Sequence, residues 1–269
     1  MMITTIFDYE FMRNAFIATT IVGIVAGAVG YFLVLRGETF AGHALAHVGF
    51  PGATGAVLIG LSPILGLSIF TVLAGIGIGL LGEKAHRDVA IGIVLTQALG
   101  LGLLFLHFYT TSAGMVTGLL FGSNVLGISL ERVWTLVILG AACLVALAAI
   151  GRPLLFASLQ PELAEAKGTR LELVSILFMV IVALATTEAM QIVGVLLVFA
   201  LMVAPAATAM HLTRRVQHGI MVSVMLAVVT AWISLTLAFY TDWPTSFWIT
   251  ALGSLAYLAS TRIRMRHSR

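Results

Sequence analysis

Charge is what this chain lacks most: Asp, Glu, Lys and Arg together make up 9% of its 269 residues, against roughly a quarter in soluble domains. That scarcity excludes an ordinary water-soluble domain of this length, whose surface needs ionised side chains. Cysteine is nearly absent too. Cys143 is the single example, so an intrachain disulfide is impossible and the redox compartment cannot be read from it. No Lys or Arg precedes Arg13, whereas Asp8 and Glu10 do. The basic start of a cleavable signal peptide is therefore missing, and the first apolar span is expected to be retained. Nor does the chain contain a Gly-x-Ser-x-Gly elbow, a His-Glu-x-x-His helix or a Gly-x4-Gly-Lys-Ser/Thr phosphate loop. Those absences argue against an enzyme, and a chain without the phosphate loop cannot hold ATP by it.

What remains is hydrocarbon. The chain is 60% hydrophobic, with a mean hydropathy of +1.11, and charge-poor runs near the roughly 20 residues a helix needs to cross a bilayer recur along it. Charges, prolines and glycines divide it into nine apolar segments: 14–35, 40–61, 63–81, 89–109, 131–150, 173–187, 190–211, 219–240 and 245–261. The expected fold is all-α, a single domain over residues 1–269 forming a polytopic bundle of eight or nine spans. The polar, glycine-bearing stretch 110–130 could hold a shallow outer helix. With the amino terminus outside and the carboxyl terminus inside, only Arg13 and Arg132 of the 14 basic residues face outward, and that bias sets orientation. Because the basic residues sit at the ends of spans, the net charge of +3 does not indicate a nucleic-acid partner; lipid is the expected surroundings. Gly23-x3-Gly27 and Gly75-x3-Gly79 read as helix-packing motifs, and the eleven methionines as gap fillers.

Two histidines interrupt the second segment, in Thr39-Phe40-Ala41-Gly42-His43-Ala44-Leu45-Ala46-His47-Val48-Gly49-Phe50-Pro51-Gly52. Residues at i and i+4 share a helical face, and imidazole is the commonest metal ligand. Ionisable groups within a span are functional candidates by default. The glycines and the Pro51-Gly52 pair predict a broken helix, tolerated where backbone is buried in protein or lines a cavity. Secondary candidates along a pathway are His107, beside Phe108 and Tyr109, and Glu188 with Gln191, which line an entrance or mark a turn. His86, His211, His218 and His267 read as solvated loop histidines, and Asp242-Trp243-Pro244 as an outer loop with an interfacial tryptophan.

The longest polar connection, about 152–172, carries Gln160-Pro161-Glu162-Leu163-Ala164-Glu165-Ala166-Lys167-Gly168. Proline suits a first helical turn and glycine a helix stop, which predicts a short helix. Together with Val34-Leu35-Arg36, Asp88-Val89-Ala90-Ile91-Gly92-Ile93, Phe121-Gly122-Ser123, Val193-Gly194-Val195-Leu196-Leu197-Val198 and Pro205-Ala206-Ala207-Thr208-Ala209, this stretch resembles the integral-membrane permease subunit of zinc, manganese and iron ABC importers. The resemblance covers about residues 11–260. It implies that a Pro-Glu-x-Ala-x3-Gly loop, here with Gln160, Pro161, Glu162, Ala164 and Gly168, docks a cytoplasmic ATPase. It further implies a homodimer, an extracytoplasmic metal-binding protein as donor, and a multi-pass place in a prokaryotic cytoplasmic membrane.

In that family the ligand segment usually reads Gly-Asp-Ala-Leu-Ser-His, whereas this chain has Gly42-His43-Ala44-Leu45-Ala46-His47. His47 keeps its match and His43 stands in place of the carboxylate. Carboxylates suit manganese and imidazoles suit later first-row metals, so Zn²⁺ is the expected cargo, with Mn²⁺ or Fe²⁺ as alternatives and no permanently bound cofactor. Rival readings are a motor-independent metal carrier and a receptor-like membrane subunit that moves nothing.

Overall fold

The computed structural model describes residues 6–81, 87–108, 128–194 and 198–267. After a 3-10 turn at Ile6–Asp8, the described residues form helices α1 (Glu10–Leu35), α2 (Thr39–Leu58), α3 (Pro63–Leu81), α4 (Arg87–His107) and α5 (Leu130–Leu159). They continue as α6 (Pro161–Ala166), α7 (Leu171–Val193), α8 (Val198–Leu212), α9 (Val216–Thr241) and α10 (Thr245–His267). The fold is all-α, as its composition implies. Nine long helices answer to the nine apolar segments, and α6 is the short helix expected in the polar connection. Among the described residues six helices are long and apolar enough to cross a membrane: α1, α3, α4, α5, α7 and α9. Lys84, His86, most of the stretch 110–130 with Phe121-Gly122-Ser123, and Val195-Leu196-Leu197 lie outside the described residues.

Several boundaries differ from the sequence expectation. Helix α5 does not stop near residue 150 but runs past Pro153 to Leu159, so the polar connection starts at Gln160. Helix α7 continues through Glu188 and Gln191 to Val193; these two residues lie in a helix and mark no turn. Most importantly, the expected break in the second segment is absent, because α2 is continuous with Pro51 inside it. Pro51 has no N–H to offer the carbonyl of His47 one turn earlier, but neighbouring helices enclose the backbone and hold it helical.

Glycine makes that enclosure. A Cβ on Gly52 would strike the carbonyl oxygen of Gly66 on α3, and a Cβ on Gly66 would strike that of Gly52, so α2 and α3 cross with their backbones in contact. Gly49 faces Met190 of α7 and Leu67 of α3, Gly42 faces Leu33 of α1, and Phe50 fills the space over Gly102 of α4. Gly23 and Gly27 rest on Val228 and Val224 of α9, while Gly75 and Gly79 rest on Met179 and Ile176 of α7, which bears out the packing role read from their spacing. Without a hydrophobic effect between helices in lipid, such close approach supplies the dispersion energy that holds the bundle. Helix α4, with Val89, Ile93, Leu103 and Leu104 exposed, presents an apolar flank suited to lipid.

Two ends of the bundle are distinguishable. Arg36 at the close of α1, Leu80 of α3, Ala157 of α5 and Arg170 before α7 border one cleft, which Glu165 and Glu172 also line, so these termini share one face, the end that carries Arg36 and Arg170. At the opposite ends of their helices, Tyr9 packs on Phe239, and Trp243 stacks on Trp248 at a centroid distance of 5.6 Å. Trp243, the tryptophan expected at a membrane interface, thus sits in an aromatic cluster with Phe247 and Trp248.

The Gly52–Gly66 crossing makes a direct prediction. Gly66→Val should destabilise the detergent-solubilised protein by about 1–3 kcal/mol through overpacking. Gly77→Ala on the same helix, where a Cβ meets nothing within 4 Å, should leave the thermal midpoint unchanged. Equal midpoints for both variants would contradict the backbone contact.

Candidate metal site on helix α2

The corner that delivers α2 to the interior is built from three residues. Arg36 closes α1, Gly37 adopts φ +68°, and the N–H groups of Gly37 and Glu38 donate to the carbonyls of Val34 and Leu33 at 3.1 and 3.0 Å. This is the paired hydrogen-bond stop that glycine permits after a helix. Glu38 then precedes α2 and its carbonyl accepts from the N–H of Gly42 at 3.2 Å.

One turn into α2 stand His43 and His47, with ring centroids 4.7 Å apart at 74°. Spacing of four residues puts both on one face, and the structure realises that juxtaposition. Phe199 of α8 packs edge-on against His43 at 5.2 Å. Gly49 and Gly52 fall on roughly the opposite side of the helix by its 100° rotation per residue. The glycine side is thus pressed against α3 and α7, while the imidazole side stays half-buried. Two neutral imidazoles offer two nitrogen donors to a metal ion, and no group of three or more His, Cys, Asp or Glu residues suited to a metal exists among the described residues. Tetrahedral zinc takes four ligands, so the pair could supply at most half of such a shell.

The secondary candidates do not join it. His107 is exposed at the end of α4, with its ring 5.7 Å from Phe108. Glu188 is fully buried, yet a Cβ on Gly140 would lie 2.8 Å from its Oε1, beside Ile21 and Val25. The carboxylate therefore faces α5 and α1. Met190, which faces Gly49 of α2, is two residues and about 200° further round α7, so Glu188 points away from the histidines. Among the described residues, neither of its oxygens, nor Nε2 of Gln191, has a hydrogen-bond partner. His211, expected in a solvated loop, is instead half-buried in α8 with its Nδ1 3.0 Å from Ser260 Oγ on α10 and its ring against Tyr257. His218 is exposed, as expected, and His86 lies outside the described residues.

Sequence reasoning missed two parts of the surroundings. Phe199, the ring against His43, is unremarkable in an apolar run, and only tertiary packing reveals it. Arg36 and Glu38 flank Gly37 with opposite charges at a helix corner, which was a legible signal. Arg36 donates from Nε and Nη2 to both carboxylate oxygens of Glu38, at 2.9 and 3.1 Å.

An all-helical bundle with six helices fit to cross a membrane, and a donor pair on an enclosed helix, defines an integral membrane protein. Comparison with known proteins narrows this. Residues 8–264 match the ABC 3 transport family, and the chain belongs to that family. It is 33% identical to the manganese transport system membrane protein MntC of Listeria innocua over 85% of this chain and 81% of that one. It is 35% identical to the manganese import system permease protein ScaB of Streptococcus parasanguinis over 77% and 76%. A probable iron transport system membrane protein of Haemophilus influenzae is 30% identical over 94% and 90%. Among solved structures, PsaBC from Streptococcus pneumoniae in complex with Fab superimposes with a TM-score of 0.85 at 30% identity, covering 96% of this chain and 95% of that one.

The geometry separates the histidines from the buried acid. Glu188→Gln should change the zinc affinity of the purified protein by less than about twofold, whereas His47→Ala should weaken it about tenfold or more, or 1.4 kcal/mol. Isothermal titration of both variants reads the difference, and a large loss in the glutamine variant would put Glu188 back beside the site.

Proposed function

We propose that this chain is the membrane permease of an ATP-driven metal-ion importer and that His43 and His47 hold the ion in transit. The observation that carries this is the imidazole pair, half-buried on an enclosed helix in a member of the ABC 3 transport family. Names of relatives support a metal cargo: the Listeria and Streptococcus proteins are manganese permeases and the Haemophilus protein is a probable iron one. Two imidazoles without a carboxylate favour zinc over manganese. The relatives' names favour manganese, which is the second reading.

Two donors leave the shell incomplete, and a second copy presenting its own pair across the pathway supplies the other two. That arrangement agrees with the half-exposed state of the histidines in a single chain. Binding must stay moderate, since the ion has to leave as well as enter. Helix α6 is the docking element for a separate cytoplasmic ATPase. Pro161 begins it, Ala164 is buried, and Gly168 at φ +84° ends it through the pair Gly168 N–H to Glu165 and Thr169 N–H to Ala164. Lys167 folds back over the ring of Phe156 at 5.5 Å, fixing the helix to the end of α5. On this reading the end of the bundle that carries Arg36 and Arg170 is cytoplasmic, the aromatic end faces an external metal-binding protein, and the membrane is a prokaryotic cytoplasmic one. His107, Glu188 and Gln191 have no part in holding the ion.

The test is zinc uptake by zinc-starved cells that lack their own high-affinity importer, with a candidate ATPase and binding protein co-expressed. Uptake should require ATP hydrolysis and be abolished by His47→Ala at normal membrane levels; full uptake by that variant would remove the site from the pathway. His43→Asp should move the zinc-to-manganese preference toward manganese by about tenfold, or 1.4 kcal/mol, and an unchanged preference would sink the selectivity argument. Deleting residues 160–168 should leave the chain in the membrane without bound ATPase. Undiminished co-purification would count against docking at α6.

A further inference from the structure

Arg36 uses every face of its guanidinium. Besides its two bonds to Glu38, it donates from Nη1 to Ser158 Oγ on α5 at 3.4 Å, and its plane lies 5.6 Å from the ring of Phe178 on α7. The ion pair is sequestered, with side-chain exposures of 11% for Arg36 and 7% for Glu38. A shielded pair of this kind is weak evidence for a gain in stability, and fixing one arrangement of neighbouring elements is the better-supported use. The partners here belong to elements with different roles. Glu38 starts the histidine helix, while Ser158 stands two residues before Gln160, whose carbonyl accepts from Ala164 in α6 at 3.0 Å.

We propose that Arg36 is a positioning residue that joins α2 to the α5–α6 corner, so that movement of α6 reaches His43 and His47 through Ser158, Arg36 and Glu38. The inference rests on α6 being where the ATPase docks. From Glu38 the helix climbs only about 7.5 Å to His43 and about 13.5 Å to His47, at 1.5 Å per residue, which is short enough for the first turns of α2 to move as one piece. Room for such movement exists beside it. A cleft of about 980 Å³ is lined by Arg36, by Glu165 of α6 and by Gly168, Thr169 and Arg170 of the α6–α7 link, and nothing lies within 4 Å of where a Cβ on Gly168 would sit. Ser175, whose hydroxyl is buried without a hydrogen-bond partner among the described residues, also lines this cleft. Energetic coupling needs an element with two arrangements that both sites bias, and that role falls to the corner between α1 and α2.

The experiment uses the permease assembled with its ATPase in proteoliposomes, measuring zinc uptake and ATP hydrolysis together as ions moved per ATP. Arg36→Gln should keep the ATPase bound and hydrolysing while ions per ATP fall about tenfold, within the range of ordinary coupling between sites. Arg36→Lys, which keeps the charge but loses the planar fork, should recover part of the ratio. Ser158→Ala, which removes only the link to α5, should lower it with Arg36 and Glu38 still paired, and it serves if the Arg36 variants fail to fold. An unchanged ratio in Ser158→Ala, or equal losses of uptake and hydrolysis in the variants, overturns the proposal. If the unaltered chain retains no ATPase, the docking reading fails and the Arg36 link falls with it; an intact complex with an unchanged ratio removes the link alone.

Discussion

Backbone contact between α2 and α3 at Gly52 and Gly66 is the constraint on which the rest of the structure depends. Because two carbonyl oxygens occupy the space where methyl groups would otherwise stand, α2 is drawn into the middle of the bundle and surrounded by α1, α3, α4, α7 and α8. That enclosure explains three facts together. The helix survives Pro51, it tolerates two imidazoles, and its polar face turns toward the one side that glycine does not press against a neighbour. Small residues thus decide where the polar residues point.

The same logic distinguishes the histidine pair from the buried Glu188. His43 and His47 lie on a half-open face with an aromatic ring for company. Glu188 lies on the far side of α7, sealed by Gly140, Ile21 and Val25. A carboxylate without partners in such surroundings is energetically costly, but cost alone does not place it on the pathway. Direction around the helix does, and two residues of α7 are enough to reverse it.

Much of this was legible before any coordinates. Apolar run lengths gave the order of the long helices among the described residues, the i, i+4 spacing gave the shared face of the histidines, and Pro161 and Gly168 gave the ends of α6. What escaped was whatever tertiary packing overrode. Pro51 and Pro153 read locally as interruptions, yet both sit inside continuous helices because neighbours hold the backbone on either side. Glu188 and Gln191 read as an entrance lining or a turn because polar residues in an apolar run resemble a surface, and the burial of Glu188 depends on α5 being there. His211 looked solvated beside Arg214 and Arg215, but Ser260, 49 residues later, gives it a partner. No local pattern encodes contacts at that separation.

The polarity of α2 also bears on how the protein is made. Although α2 has 20 residues, it is not among the helices apolar enough to cross a membrane, since its histidines, proline and glycines dilute its hydrocarbon. Such a segment gains little by partitioning into lipid on its own during synthesis. Its flanks, α1 and α3, are both strongly apolar, and the links to them are short. Insertion of α2 is therefore a cooperative event in which the neighbouring pair carries it across, and the histidine-bearing helix reaches the bilayer only as cargo of the helices that later enclose it.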